Sequence, residues 1–303
     1  MNNGWTYHER IDKSTEGCTV LEYYTQRYQH SNRAEWQTRI STGEILLNES
    51  ETIEHTILKR GDRLRYNRPP WQEPEVPLTF EVMVEDAEIL VISKPSGLPV
   101  LPGGGFLEHT LLGQLQHRYP HETPVPIHRL GRGTSGLVLL ARSRQARASL
   151  SQQMRSHQIQ KIYRALANGT SMPDRFRVTH SIGKIPHPTL GYIYAARADG
   201  LVAQSDCQVL RRDAETALLD VNILTGRPHQ IRIHLAAAGY PLLGDPLYTI
   251  GGIPKTFTPS ATGELPVPGD CGYYLHAMHL TFSHPTTHDL IQVTSLPPDV
   301  LNL

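Results

Sequence analysis

The sequence predicts an α+β chain in two parts, and three observations carry the prediction. Two helix-spaced runs and two short strand-like runs fill about residues 18 to 68. A proline-dense stretch, Arg68-Pro-Pro-Trp-Gln-Glu-Pro-Glu-Val-Pro, follows them, and beyond it extended apolar runs outnumber helical ones. Proline fixes φ and removes a backbone donor, so this stretch can continue neither a helix nor a central strand. The domain boundary is therefore placed there, with residues 69 to 77 as a semi-rigid linker and residues 78 to 303 as the larger domain. At 303 residues the chain is long enough for both parts to bury a core.

Residues 1 to 17 are polar and mixed in charge and read as a poorly ordered lead-in. Apolar or aromatic residues at 20, 21, 24 and 28 then have helical spacing, and Ser31 ahead of Glu35 and Trp36 marks a capped second helix to about Ile40. Gly43 to Glu49 reads as a short strand and turn, and Ile57 to Tyr66 as a strand entered through a Gly-Asp turn. After the linker, Phe80 to Asp86 and Ile89 to Ser93 read as paired strands. Gly103, Gly104 and Gly105 read as a mobile loop; no Lys-Ser/Thr pair follows to make them a phosphate cradle.

Thr110 to Arg118 has helical spacing, and a helix from about Arg144 to Ser156 would pack Leu150 and Met154 inward. Gln160 to Ala167 reads as a strand with Lys161, Tyr163 and Ala165 on one face. Ala217 to Leu224 is another strand, left through Thr225-Gly-Arg-Pro, and His229 to Ala238 a helix stopped by Gly239. On that helix His229 and Arg232 face one cleft while Ile231, Leu235 and Ala238 pack behind. Leu275 to Phe282 and Leu290 to Ser295 end the chain as strands, and no internal repeat is present.

The formal net charge is +0, so a partner must be sought in the distribution of charge. Between Thr123 and Pro173 there is no Asp or Glu, while Arg129, Arg132, Arg142, Arg144, Arg147, Arg155, Lys161 and Arg164 fall inside the window, a pattern that attracts a polyanion. Cys18, Cys207 and Cys271 lie far apart, which argues against a disulfide framework or a structural zinc site. The histidines 276, 279, 284 and 288 lack a closely spaced carboxylate, so no metal is expected. No run approaches the length of a membrane span and the N-terminus lacks a signal pattern, so a cytoplasmic protein without membrane attachment is expected, with a monomer as the default.

The stretch on which function turns is Ile127 to Arg142. A polar loop carrying His128, Arg129, Arg132, Thr134 and Ser135 leads into Leu137 to Ala141, a run that has to be buried. Taken with Ser93-Lys-Pro-Ser-Gly-Leu-Pro-Val, Lys161-Ile-Tyr, Thr225-Gly-Arg-Pro-His-Gln-Ile-Arg-Ile-His-Leu, Pro241-Leu-Leu-Gly-Asp-Pro-Leu-Tyr and Leu275-His-Ala, it resembles the RluA-type pseudouridine synthases over about residues 78 to 298. Residues 18 to 68 resemble, more loosely, the S4-type RNA-binding module, whose helix pair contacts RNA.

The resemblance implies a mixed, largely antiparallel sheet flanked by helices, and isomerisation of uridine in tRNA or rRNA with no cofactor and no metal. It makes Tyr163 the residue that stacks under a flipped-out base, Arg232 the partner of a catalytic carboxylate and Arg129 the residue that displaces the base. His128, Leu130, Arg132, Thr134, Ser135, Lys161, Arg227 and His229 fall in the same motifs as substrate or RNA contacts. The chain departs from the family where the catalytic Asp belongs, because that position is Gly131, which has no group to act as nucleophile or base. The nearest acids by motif are Asp206 and Asp245. Two readings follow: a synthase that draws its carboxylate from elsewhere, and an RNA-binding member that does not catalyse. In either, Arg232 is expected to lose its family partner and to find solvent, phosphate or another acid.

Overall fold

The computed structural model describes residues 1–28, 31–187, 190–255 and 266–303. The chain divides into two compact units, residues 1–73 with 186–193, and residues 74–185 with 194–303. The division after Glu73 falls inside the proline-dense stretch.

The first unit runs β1 (Trp5–Arg10), α1 (Val20–Arg27), α2 (Arg33–Ser41), β2 (Ile45–Leu47), β3 (Ser50–Glu51) and β4 (Arg63–Arg68). Its strands form an antiparallel sheet in the order β1-β4-β2-β3. Both helices open on reciprocal capping boxes, Thr19 with Glu22 and Asn32 with Glu35, so Asn32 and not Ser31 caps the second. Tyr24, Trp36, Ile40, Ile45, Leu58 and Leu64 fill the core between helices and sheet.

Two expectations are corrected here. The first 17 residues are not an unordered lead-in, because Trp5 to Arg10 pairs with Arg68 to Arg63. That strand is largely exposed and so carries no apolar alternation, and its partner lies far along the chain. The strand expected from Ile57 starts only at Arg63, because Asp62 first closes a turn by accepting from the backbone N–H of Lys59.

The second unit contains β5 (Glu81–Glu85), β6 (Ile89–Lys94), α3 (Leu111–Arg118), β7 (Val125–Pro126), β8 (Ser135–Ala141), α4 (Arg144–Arg155), β9 (Gln160–Asn168) and β10 (Arg175–Val178). β11 (Ile182–His187) and β12 (Gly191–Ala196) pair as a sheet of their own, their joined ends within residues 186–193 belonging to the first unit, and β13 (Ser205–Arg212), β14 (Thr216–Ile223) and α5 (Gln230–Ala237) follow in the second. The short pair β15 (Tyr248–Thr249) and β16 (Ile253–Pro254), then β17 (Leu275–Ser283) and β18 (Leu290–Thr294), complete the order. The main sheet runs β10-β13-β14-β9-β17-β8-β6-β5, with β18 beside β17 and β7 beside β8. It is mixed and largely antiparallel, with β17 and β8 parallel. Strands β10 to β12 carry no strong periodicity in the sequence.

The all-buried strand β8 explains how helices come to both faces. Alternate side chains leave a strand in opposite directions. Val138 and Leu140 therefore pack with Leu111 and Leu115 of α3, whereas Leu137 and Leu139 pack with Ala146 and Leu150 of α4. Tyr163 and Ala165 of β9 belong to the α3 side, which also receives Ile231 and Leu235 of α5. Truncating Leu139 to Ala opens a cavity against α4 and is expected to cost about 2–5 kcal/mol in urea denaturation. Arg147→Ala on the exposed face of α4 is expected to stay within about 0.5 kcal/mol.

Candidate active site

The loop before β8 is held from several directions. His128 Nε2 accepts the Leu139 backbone N–H at 3.1 Å, so its ring is a neutral anchor, and burial pushes its pKa down to about 4. Thr134 closes the turn through its N–H to the Gly131 carbonyl, 3.0 Å. Ser135 bonds His276 Nδ1 at 2.9 Å. Lys94, 1% exposed, donates from Nζ to the carbonyls of Pro95 (2.7 Å), Leu98 (2.8 Å) and Arg132 (3.3 Å). Arg132 Nε in turn donates to the Gly269 carbonyl at 2.7 Å. Leu130 points into the core beside Tyr163, whereas Arg129 is exposed.

Gly131 does not have the positive φ that would require glycine. What a side chain there would meet is the Tyr273 hydroxyl, 2.9 Å from the Cβ position, with Thr134 Oγ1 at 3.5 Å. The Tyr273 and Thr134 hydroxyls bond each other at 3.2 Å. At Gly133 a Cβ would lie 3.0 Å from the Tyr273 ring and 3.2 Å from Cys271 Cα. The room for a residue at position 131 is thus taken by a phenol that no motif in the sequence singled out.

The turn into α5 is pinned by Gln230, whose Oε1 accepts from Thr225 Oγ1 (2.7 Å) and the Arg227 N–H (3.1 Å). Arg227 Nε donates to the Val202 carbonyl at 3.0 Å. His229, at φ +54°, bonds the Tyr248 hydroxyl through Nδ1 at 2.9 Å. That hydroxyl donates to the Tyr194 carbonyl, so Nδ1 carries the hydrogen of the His229 bond. Burial, the first cause, and nearby Arg232 push the His229 pKa down to about 3.

Arg232 is not left without a carboxylate. Its Nε and Nη2 form a fork on Asp245 Oδ2 and Oδ1, both at 2.7 Å, and Nη1 donates to the Pro268 carbonyl at 3.0 Å. Its guanidinium lies 4.2 Å from the Tyr273 ring centre and 5.0 Å from that of Tyr248. Asp245 also accepts the N–H groups of Leu247 (2.9 Å) and Tyr248 (3.0 Å). Burial alone would raise its pKa, but the hydrogen bonds and charge of Arg232 with those two N–H groups outweigh it and hold the pKa below the usual value. A carboxylate so engaged is a structural partner and poorly suited to proton transfer.

The other acid by motif, Asp206, is on the wrong side of the sheet. Cys207 and Val221 share the core with Tyr163, so Asp206, one residue away, faces the opposite surface, where it pairs with Arg177 at 2.5 Å. Tyr163 sits on β9 between Val221 and Ala277, buried with Leu130, Ile231 and Tyr273. Burial raises its pKa, and among the described residues its hydroxyl has no hydrogen-bond partner. Lys161, on the same side of β9, has its Nζ 3.5 Å from Met154 Sδ and 4.0 Å from where a Cβ on Gly226 would lie.

The acid-free window is not one basic face. Arg142 pairs with Glu85 and Arg164 with Asp220, acids from outside the window, and Lys161 is buried. Arg129, Arg144, Arg147 and Arg155 are the members left exposed. Besides Tyr273, sequence reasoning missed Lys94 as a clamp and residues 266–272 as the segment that closes on Arg132 and Arg232. The same segment carries Asp270, half-buried, whose Oδ2 accepts the Val267 N–H at 2.7 Å.

Gly131→Asp places its Cβ against the Tyr273 hydroxyl and is expected to destabilise by about 1–3 kcal/mol. Tyr273→Phe in the same chain, which removes that oxygen, is expected to restore most of the loss in thermal and urea melts. Acid is expected to destabilise through His128 and His234, both held near pKa 4 by burial. In the unfolded chain they titrate near ~6.5, so from about pH 6.5 down to 4 that chain binds protons the fold refuses. Urea denaturation should show stability falling over this window by up to about 1.4 kcal/mol per pH unit per group, and His128→Gln should flatten the slope.

The profile of the family described as RNA pseudouridylate synthase matches residues 88–237. An uncharacterized RNA pseudouridine synthase of Synechocystis is 49% identical over 284 residues, covering 93% of this chain and 95% of that protein. RNA pseudouridine synthase 5 of Oryza sativa is 38% identical, covering 99% and 89%. Among solved structures, human RNA pseudouridylate synthase domain containing 1 is similar with a TM-score of 0.57 at 24% identity, over 75% of this chain and 87% of that one, a likeness in fold. By these similarities the chain belongs to the RNA pseudouridine synthase family.

Proposed function

We propose that this chain acts on RNA, receives a flipped-out uridine beside Tyr163, and isomerises it with an acid–base group other than residue 131. The observation that carries the proposal is the half of the site that receives the base. Tyr163 is buried in one core cluster with Leu130 and Tyr273, no described residue hydrogen-bonds its hydroxyl, and Arg232 is fixed against the Tyr273 ring. A buried aromatic ring with a free polar tip suits a planar base that has left its stack. In the reaction the bond from the sugar to N1 breaks, a bond to C5 forms, and the C5 proton leaves while N1 gains one. The nearest oxygen to the vacated Cβ position is that of Tyr273. Its pKa is raised by burial, against which the Arg232 charge acts, so it stands as a neutral phenol able to pass a proton.

The 49% identical relative, named an RNA pseudouridine synthase, supports the same reading. We read the first unit as an S4-type module that adds RNA contacts, and the chain as a cytoplasmic monomer acting on tRNA or rRNA.

Three observations favour a second reading, an RNA-binding member that does not isomerise. Position 131 is crowded by Tyr273, Asp245 is fully engaged, and Asp206 faces away. Incubation with unmodified tRNA and rRNA, followed by mapping of pseudouridine, separates the two. Product above a buffer control that falls at least about 100-fold in Tyr273→Phe supports the first. Salt-sensitive binding without product supports the second, and absence of binding overturns both.

A further inference from the structure

The first unit contains a cavity of about 430 Å³ along the free edge of β1, lined by Tyr7, Glu9, Arg10, Tyr23, Arg27 and Tyr28 among others. Glu9 is the lining residue that the surrounding side chains converge on. Its Oε1 accepts the Tyr28 hydroxyl and its Oε2 the Tyr23 hydroxyl, which fix the plane of the carboxylate. Arg27 Nε forms an ion pair with Oε2 at 3.7 Å, beyond hydrogen-bond length, so among the described residues the Glu9 side chain, 21% exposed, keeps open acceptor positions. A carboxylate offers about four acceptor positions, and the two phenols use one on each oxygen. The remaining two suit a planar ligand that presents two neighbouring N–H groups on one edge.

Among RNA bases that edge belongs to guanine, through N1–H and its N2 amino group. Adenine and cytosine place an acceptor beside their amino group, and uracil offers a single N–H between two carbonyls. The walls fit a base as well. Tyr7, partly exposed, is held in a stacked arrangement on Tyr66 with ring centres 5.8 Å apart, and the Arg27 guanidinium lies 5.7 and 6.0 Å from the Tyr23 and Tyr28 ring centres. Arg27, 54% exposed, and Arg10 bring cations for the attached phosphate.

We propose that this cavity binds a guanine base of single-stranded RNA, with Glu9 reading its N1–H and N2–H edge and Arg27 meeting its phosphate. The choice of RNA over another ligand rests on the family reading above. The geometry of base selection does not.

Calorimetric titration of the full chain with the 5′-monophosphates of guanosine, inosine, adenosine, cytidine and uridine tests this without reference to isomerisation. Guanosine monophosphate should bind about tenfold more tightly than inosine monophosphate, which lacks the N2 amino group, and the other three more weakly still. Glu9→Gln should abolish that preference, while Arg27→Gln should weaken guanosine and inosine monophosphates by a similar factor. Equal affinity for all five, or no binding of guanosine monophosphate, overturns the proposal. So does tighter binding of an arginine-containing peptide, whose guanidinium shares the donor edge, since that would make the site one for protein. If Glu9→Gln does not fold, the guanosine and inosine comparison on the unaltered chain still decides.

Discussion

The Arg232–Asp245 fork is the interaction around which the cleft of the second unit is built. Both side chains are almost wholly buried, at 3% and 1% exposure. Two charges taken out of water are stable together when their remaining donors and acceptors are met, and removing either typically costs about 3–5 kcal/mol because it strands the other. Here those groups are met by backbone, the Pro268 carbonyl for Arg232 and the N–H groups of Leu247 and Tyr248 for Asp245. One ion pair therefore joins helix α5 to the segment before β15 and to the segment before β17. The rings of Tyr248 and Tyr273 are ordered against it.

That arrangement explains why Gly131 is not an empty place. A phenol ring held against a fixed guanidinium cannot swing aside cheaply, and its hydroxyl reaches to within 2.9 Å of where a Cβ would start. Gly131 and Tyr273 are consequently one structural choice made at two positions. Close packing makes any change at one of them a demand on the other. A glycine at position 131 also leaves the buried charges balanced, since Arg232 is neutralised by Asp245 of a different loop.

Much of the second unit was legible in the sequence because its signals are local. The unbroken apolar run of Leu137 to Ala141 can only be a strand covered on both faces, and Thr110 followed by Leu111 and Leu115 can be read as a capped helix. The strand Trp5–Arg10 was not legible. It is exposed, and it is held by hydrogen bonds to residues about sixty positions away that its own composition does not reveal. At the site, the motifs named Asp206 and Asp245 as the nearest acids and left open whether Arg232 would meet solvent, phosphate or an acid; the structure pairs it with Asp245. Asp245 and Tyr273 reach the site from turns whose sequence shows Gly, Asp and Tyr but not the direction of their side chains.

The same limit applies to charge. Counted along the chain, eight cations without an acid suggest a surface for a polyanion, but a guanidinium or ammonium group is also the strongest tether for backbone carbonyls. Lys94 holds three carbonyls, Arg132 and Arg232 hold one each across the cleft, and Arg164 holds that of Leu301. These cations stiffen the loops that shape the site and are not free to meet phosphate as they stand. The attraction for RNA in this region has to come from Arg129, Arg144, Arg147 and Arg155, whose heads remain in solvent. Arg129 stands at the mouth of the loop that carries Gly131, whereas the other three lie along α4. The exposed cations that can act at long range are therefore different residues from the cations that tether backbone carbonyls and keep these loops in shape.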